Sequence, residues 1–313
     1  MRGPVYFRAM SIHVERCFVP EVQAPCGHNV FAHDGGVLLL PGMRGTEPGA
    51  AWWSEDGTRF VEAAIDGRAV GLGSEPVVDL INDHHWATQV TAAGHALFWL
   101  EGRLVRASVG PQVTFEPTAY RSPAEYRFKL QDVTVDAAGT WWVSGHASND
   151  SLIGQVFAGP DGANWTPVPS SFEGSVLRLI RADGKIHALH YKHVTVVEQG
   201  GAKKLISMKD HIEHAIFTAA GVVGIGKDFV GVLPAGGKRS KYAAPPAGYG
   251  RYHIAAVPGG FVLGGLNGLW FAPDGLAWTP VPSFTGAVKA IVPSRAGMLV
   301  VSPRSEVHVV RGV

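Results

Sequence analysis

The sequence lacks any excess of charge, since 27 Lys and Arg residues against 26 Asp and Glu residues leave a formal net charge of +1. Proteins that bind nucleic acids usually carry a strongly basic surface, so this balance argues against a nucleic-acid partner. Of the 313 residues, 46% are hydrophobic and 17% are charged. This is the composition of a globular protein and not of a disordered one, so we expect a folded chain with a large core.

Cysteine is scarce, because the chain contains only Cys17 and Cys26. Neither belongs to a C-x-x-C motif or to another spacing that is typical of metal sites. A disulfide framework or a cysteine-based metal site is therefore not indicated. We expect two free thiols.

Long uninterrupted apolar runs are also missing. The first eighteen residues contain four charged side chains and therefore lack the apolar stretch of a signal peptide, which predicts a cytoplasmic protein. Residues 252–273 carry no charge over a length that could cross a bilayer. Several glycines and a proline interrupt this stretch, as in a β-hairpin, so we expect no membrane span.

Helical periodicity and the common catalytic motifs are absent as well. No run of about 12 residues free of Gly and Pro repeats apolar residues at i, i+3 and i+4, so helices should be few. GIGKDF lacks the third glycine of a dinucleotide-binding motif, and PAGGKRS lacks the first glycine of a P-loop. The chain contains neither G-x-S-x-G nor H-E-x-x-H. These signatures therefore assign no enzyme class.

What the sequence does contain is a repeat in which a glycine turn precedes an apolar run, as in AHDGGVLLL and VPGGFVLGG. The anchoring glycines are Gly36, Gly94, Gly139, Gly184, Gly221, Gly260 and Gly297. Their mean separation of about 43 residues is typical of a four-stranded propeller blade. We therefore predict an all-β protein, a single seven-bladed β-propeller domain over residues 1–313 with four-stranded antiparallel blades.

The predicted blades cover residues 23–72, 83–121, 128–172, 174–208, 210–246, 248–285, and 286–313 together with 1–22. The last repeat has room for about three strands, and the N-terminal segment VYFRAMSIHVERCFV can supply the fourth. This arrangement would close the ring and would remove an exposed sheet edge.

A second repeated element is an Asp-Gly turn between β-prone flanks. Residues 159–170, GPDGANWTPVPS, nearly repeat residues 272–283, APDGLAWTPVPS. A third copy lies within residues 51–63, AWWSEDGTRFVEA. Such turns indicate hairpins, which we expect to join the third and fourth strands of their blades. The Asp can accept hydrogen bonds from turn amides, the Gly can adopt a positive φ, and the aromatic residue can pack between blades.

These phrases resemble the Asp-box, or BNR, repeats of sialidase-like propellers, which read approximately S-x-D-x-G-x-T-W. The matching residues are Ser54, Asp56, Gly57 and Phe60, then Asp161, Gly162 and Trp165, and finally Asp274, Gly275 and Trp278. The resemblance implies the propeller fold of that superfamily and a structural role for these residues. The sialidase signature F/Y-R-I-P is matched only by YFRAM with Arg8 in place, so no catalytic subfamily is indicated.

Polar residues gather just before the expected first strand of several blades. Because the innermost strands of a propeller begin at one end of the central channel, we expect these side chains to share one mouth. The candidate binding residues are His28, Asp83, His84, His85, Trp86, Asp132, Asp210, His211, Tyr249, Arg251 and His253. Imidazoles and carboxylates suit a divalent metal, for which His84, His211 and His214 are the candidate ligands, and we expect no other cofactor.

The segments before the second and third blades are longer than the others, and long loops on a rigid scaffold often carry binding sites. We therefore predict a monomeric, non-enzymatic platform that binds a protein partner at the face with residues 71–86, 117–132 and 209–214. A polar small molecule or a glycan is the other class of ligand that this face suggests.

The alternative is an enzyme with an Asp/His site at the channel mouth, either a glycoside hydrolase or a metal-assisted hydrolase or lyase. A glycoside hydrolase would need two carboxyl groups about 5 to 9.5 Å apart. Asp83, Asp132 and Asp210 are the candidates for that pair.

Overall fold

The computed structural model describes residues 12–20, 28–41, 50–66, 91, 93–100, 103–123, 128–147, 150–169, 172–173, 176–218, 221–246 and 253–312. Within these ranges the secondary structure is entirely β, with no helical residue. This part of the chain therefore contains no apolar helix of a length that could span a membrane. The strands are numbered β1 to β28 in chain order.

The strands group into successive antiparallel blades, and in blades 1 and 3 to 7 the first described strand is innermost. Blade 1 contains β2 (His28–His33), β3 (Gly36–Pro41), β4 (Ala51–Ser54) and β5 (Val61–Asp66). Blade 2 contains, in its described part, β6 (His95–Leu100), β7 (Arg103–Ser108) and β8 (Gln112–Pro117). Blade 3 contains β9 (Phe128–Val135), β10 (Trp141–Ala147), β11 (Asp150–Gly159) and β12 (Thr166–Pro167), with β13 (Phe172–Glu173) also paired to β11.

The remaining blades are regular four-stranded sheets. Blade 4 contains β14 (Val176–Ala182), β15 (Lys185–His190), β16 (His193–Glu198) and β17 (Gly201–Ser207). Blade 5 contains β18 (His214–Thr218), β19 (Gly221–Gly226), β20 (Phe229–Pro234) and β21 (Lys241–Ala243). Blade 6 contains β22 (His253–Val257), β23 (Gly260–Gly265), β24 (Gly268–Ala272) and β25 (Thr279–Pro280). Blade 7 contains β26 (Ala290–Ser294), β27 (Gly297–Val301), β28 (Val307–Arg311) and β1 (His13–Phe18). The predicted seven-bladed propeller is thus confirmed.

The second strand of a blade is buried on both faces, which explains the apolar runs that follow the repeated glycines. In β3, Val37 and Leu39 pack against blade 7, whereas Leu38 and Leu40 pack against blade 2. Successive side chains of a strand point to opposite faces, so a strand between two neighbouring blades needs apolar residues at every position. Among the described residues, seven apolar clusters lie between neighbouring blades.

The N-terminal strand closes the ring, as predicted. β1 pairs antiparallel with β28, and Val14 lies opposite Val310. Val14 is buried in the cluster between blades 6 and 7, while Phe18 stacks on Phe60 of blade 1 with ring centroids 4.6 Å apart. The two ends of the chain therefore form one blade that contacts both of its neighbours.

Blades 1 and 2 differ from the expected separate four-stranded sheets, because their outer strands join them into one seven-stranded sheet. β5 pairs in parallel with β8, with Ala64 opposite Gln112, and the Ala64 N–H donates to the Pro111 carbonyl at 3.0 Å. Both outer strands run in the same direction, so where they approach each other they can pair only in parallel. The pairing covers two outer edges that would otherwise expose unpaired backbone groups.

The Asp-Gly turns join the third and fourth strands of blades 1, 3 and 6, as predicted. The Asp56 Oδ1 accepts hydrogen bonds from the backbone N–H groups of Thr58 and Arg59 at 2.7 and 3.2 Å. Asp161 and Asp274 each accept two backbone N–H groups in the same way. These bonds favour the charged carboxylate and lower the pKa of all three aspartates.

The aromatic residue after each Asp-Gly turn packs toward the preceding blade. Phe60 contacts Phe18 of blade 7, Trp165 lies in the cluster between blades 2 and 3, and Trp278 lies in the cluster between blades 5 and 6. The predicted structural role of these turns is therefore confirmed.

The closing strand generates the first testable prediction. We expect Val14→Asp to lower the free energy of unfolding by roughly 2–4 kcal/mol, because it removes apolar contacts and buries a carboxylate without a partner. Denaturant unfolding followed by tryptophan fluorescence measures this loss. The matched control is Glu15→Ala, since Glu15 is exposed and only its ion pair with Arg311 is lost, at a cost below about 1 kcal/mol. Equal losses in both variants would contradict the role of β1 in closing the ring.

Candidate functional site

The innermost strands that the structure describes begin at one end of the propeller, which we call the upper face. β14 begins there at Val176, β18 at His214 and β22 at His253. The turns between second and third strands also lie on the upper face, since the strands of each blade are antiparallel. The glycine turns and the Asp-Gly turns lie at the opposite, lower face.

Asp132 lies within an innermost strand and not in front of it, because β9 already begins at Phe128. Its Oδ1 accepts the Val133 N–H at 2.8 Å, and its Oδ2 accepts the Leu179 N–H of β14, also at 2.8 Å. The carboxylate therefore joins the inner strands of blades 3 and 4. Burial raises its pKa to about 6, although both hydrogen bonds and the nearby Arg178 charge act in the other direction.

A cavity of about 280 Å³ lies in the channel wall where blades 4, 5 and 6 meet. Its lining combines basic and apolar side chains from three innermost strands. We call it the channel cavity and define it by Arg178, Ile180, Ala182, His214, Ile216 and Ala256. Arg181, Ala215 and Phe217 complete its wall.

His214 faces this cavity from the first position of β18. Its Nδ1 atom is buried and forms no regular hydrogen bond with the described residues. Burial, followed by the positive charge of Arg178 and the neighbouring His253, lowers the pKa of the imidazole to about 4. The ring is therefore neutral at neutral pH.

The structure thus places four polar side chains around the channel wall, one from each of four successive blades. Electrostatic interactions link Asp132 to Arg178, Arg178 to His214, and His214 to His253. Three of these residues were predicted from the sequence, and Arg178 was not. Arg178 is the third residue of β14, so an inspection of whole inner strands, and not only of the segments before them, could have found it.

Asp210 and His211 lie farther out on the upper face, in the connection between blades 4 and 5. The His211 ring stacks on Tyr191, with centroids 4.5 Å apart and an interplanar angle of 19°. The Asp210 carboxylate accepts the N–H of His211 at 2.8 Å and lies 3.9 Å from the Lys192 Nζ. Lys192 also lies over the Tyr191 ring. Tyr191, which the sequence interpretation missed, is therefore the centre of a small aromatic and charged cluster.

Part of the predicted binding face lies elsewhere in the structure. The Arg121 N–H donates to the Gly162 carbonyl at 2.9 Å, and the Trp165 Nε1 donates to the Arg121 carbonyl at 2.7 Å. Because Gly162 belongs to a lower-face turn, the segment around Arg121 packs at the lower end of blade 3. Its aromatic neighbour Tyr120 packs against the Trp165 ring there. The segment is anchored by the blade and is not a free upper loop.

Several candidates fall outside the described residues, namely Asp83, His84, His85, Trp86, Tyr249 and Arg251. His28 is the first residue of β2, but its side chain is also outside the description. No group of three His, Cys, Asp or Glu side chains suited to a metal occurs within the described ranges. Because His84 is outside them, the metal site of His84, His211 and His214 stays a prediction.

Comparisons with known proteins show the fold of this chain. No family model matches the sequence, and no curated protein matches it. The structure is similar to a catalytically inactive histidine-to-alanine variant of virginiamycin B lyase from Staphylococcus aureus with quinupristin. The two sequences are 10% identical, the match covers 95% of this chain and 98% of the lyase, and the TM-score is 0.58.

Two further solved structures resemble it. BamB from Moraxella catarrhalis is 10% identical and gives a TM-score of 0.51, and the match covers 95% of this chain and 97% of BamB. The extracellular domain of a protein described as a hybrid two-component system from B. thetaiotaomicron is 9% identical and gives a TM-score of 0.56; the match covers 94% of this chain but 39% of that one. At such low identities these likenesses show the β-propeller fold alone, and membership of the Asp-box superfamily stays a prediction.

The buried Asp132 gives a second testable prediction. Asp132→Ala leaves the Val133 and Leu179 N–H groups without their acceptor, so we expect the free energy of unfolding to fall by roughly 1–3 kcal/mol. Because the folded-state pKa of about 6 lies above the ordinary value of 3.8, the wild type loses stability through this group as pH rises from about 4 to about 6. The loss caused by the substitution should therefore be larger at pH 4 than at pH 7.

Denaturant unfolding of the wild type and of Asp132→Ala at pH 4 and pH 7 measures the loss of unfolding free energy at each pH. Other groups titrate in the same way in both proteins, so their contributions cancel when the two proteins are compared. Asp210→Ala is the matched control, since Asp210 is exposed on the same face and its removal should cost less than about 0.5 kcal/mol. A loss in Asp132→Ala that is larger at pH 7 than at pH 4 would overturn the assigned environment of this carboxylate.

Proposed function

We propose that the protein is a non-enzymatic binding platform whose upper face receives a protein partner. The observation that carries this proposal is the exposure of two large hydrophobic side chains there, Tyr191 at 50% and Leu266 at 52%. They lie in the turns between the second and third strands of blades 4 and 6. Aromatic residues such as Tyr are enriched in the centres of protein interfaces, and an exposed Leu adds apolar surface beside them.

The surroundings of Tyr191 also suit an interface. The ring is held by its stack on His211, and Lys192 and Asp210 place charges of opposite sign beside it. A pre-positioned aromatic side chain loses little conformational entropy when a partner binds, and flanking charges give orientation. The BamB and two-component neighbours share only the fold, so they support the choice of a propeller scaffold and not a particular partner.

The alternative is an enzyme that acts on a glycan or a small ester at the channel. The observation that favours it is the neutral His214, which lines the channel cavity beside Arg178 and whose buried Nδ1 has no partner in the described part of the chain. The two described candidate carboxylates give it less support, because Asp132 is bonded to two backbone amides and Asp210 lies at the rim. Turnover of a glycan or ester substrate that His214→Ala abolishes would establish this alternative. The cytoplasmic location and the monomeric state stay predictions.

The platform is tested by substitutions on the two faces. We expect Tyr191→Ala combined with Leu266→Asp to reduce the partner protein recovered with the tagged chain, from cells that produce it, by roughly tenfold or more. The matched control is Val61→Asp, because Val61 is 58% exposed but begins β5 near the lower face. A photo-reactive amino acid placed at position 191 should cross-link to the same partner, and one at position 61 should not. Undiminished recovery with the upper-face variant would contradict the proposal.

A further inference from the structure

We propose that the channel cavity binds a small organic anion, a carboxylate with an apolar body. The site is separate from the turns of the upper face that carry the proposed platform. It is built from three innermost strands, β14, β18 and β22. The argument depends on the charge at one end of the cavity, the unpaired nitrogen beside it and the apolar wall below.

The charge is supplied by Arg178, which is exposed to the channel. No hydrogen bond or ion pair to its guanidinium is formed by any described residue. Asp132, whose carboxylate interacts electrostatically with Arg178, already accepts the N–H groups of Val133 and Leu179. A guanidinium that lacks a committed partner presents a planar pair of N–H donors, which matches the two oxygens of a carboxylate.

The second basic side chain of the wall is differently placed. The Arg181 Nη1 donates to the Val135 carbonyl at 3.2 Å, and the charge of Asp136 acts on the same guanidinium. Arg181 is thus directed toward blade 3, and it adds positive potential to the cavity. Two guanidinium groups, those of Arg178 and Arg181, therefore lie at the cavity. The two nearby carboxylates, those of Asp132 and Asp136, already accept hydrogen bonds from local groups.

The unpaired nitrogen belongs to His214. Its buried Nδ1 forms no geometrically regular hydrogen bond with any described residue and, as a hydrogen-bonding group, is influenced only by the Ala215 backbone, although buried polar side-chain atoms almost always have a partner. A ligand oxygen held by Arg178 could accept a hydrogen bond from this ring. The anion would thus contact two polar side chains of the wall, Arg178 from blade 4 and His214 from blade 5.

The remaining wall is apolar and the volume is small. Ile180, Ile216, Phe217 and Ala256 line it, and the volume of about 280 Å³ lies near the lower limit of ordinary ligand cavities, which is roughly 300 Å³. Inorganic anions would leave these side chains in contact with water. An acid with a ring or a short alkyl chain would cover them, and benzoate is the probe of that size and shape.

The test is isothermal titration calorimetry of the full chain with benzoate, with neutral benzamide and with inorganic phosphate. We expect benzoate to bind with a Kd below about 1 mM, and benzamide and phosphate to bind at least tenfold more weakly. Arg178→Gln should weaken benzoate binding at least tenfold. The matched control is Arg295→Gln, which lies at a second cavity of about 270 Å³ between blades 1 and 7 and should leave binding unchanged.

A second variant tests the contribution of the cavity volume independently of the charge of Arg178. Ala256→Phe keeps every charge but fills the apolar wall from an exposed position, so it should abolish benzoate binding without unfolding the chain. The proposal would be overturned if benzoate did not bind at concentrations up to about 10 mM, or if phosphate bound and benzoate did not. It would also be overturned if benzamide bound as tightly as benzoate, or if Arg178→Gln or Ala256→Phe left benzoate binding unchanged. None of these outcomes bears on the platform, whose test uses Tyr191 and Leu266.

Discussion

The whole ring depends on one constraint, which is that each second strand must bury side chains on both of its faces. Leu38 and Leu39 are neighbours in β3, yet they serve different interfaces, one with blade 2 and one with blade 7. A single blade on its own would expose both of these apolar faces, so its stability depends on both neighbours. The same constraint makes the last interface indispensable, and Val14 and Phe18 provide it from the other end of the chain.

Such a ring leaves two kinds of surface free for function, the upper turns and the channel wall. The polar side chains of the wall come from separate blades, so their mutual positions depend on how the blades are joined. Asp132 is important in this respect, because its bond to the Leu179 N–H fixes β14 next to β9. Leu179 directly follows Arg178, so the buried carboxylate of blade 3 also positions the backbone that carries the guanidinium of blade 4.

The sequence predicted the architecture well because its strongest signals are local. Gly184 and Gly297 mark turns that any alignment of the repeats reveals, and the apolar runs behind them follow from burial on two faces. The site was harder to predict, since it depends on which inner-strand positions face the channel. Asp132 was expected at a strand entry, but β9 begins four residues earlier and its pairing with β10 shifts register near Ser144. Such an irregularity has no clear signature in the sequence.

The upper face and the channel cavity are connected by a segment that the structure holds firmly. The Ile212 N–H donates to the Tyr191 carbonyl at 2.8 Å, and the Glu213 N–H donates to the Ile225 carbonyl at 2.7 Å. Ile212 itself is fully buried between blades 4 and 5. The backbone that leads from the Tyr191 cluster to His214 is therefore anchored by hydrogen bonds at Ile212 and at Glu213. The segment between the two surfaces is held in this way to blade 4 and to blade 5, and these backbone hydrogen bonds position Tyr191 and His214 relative to each other.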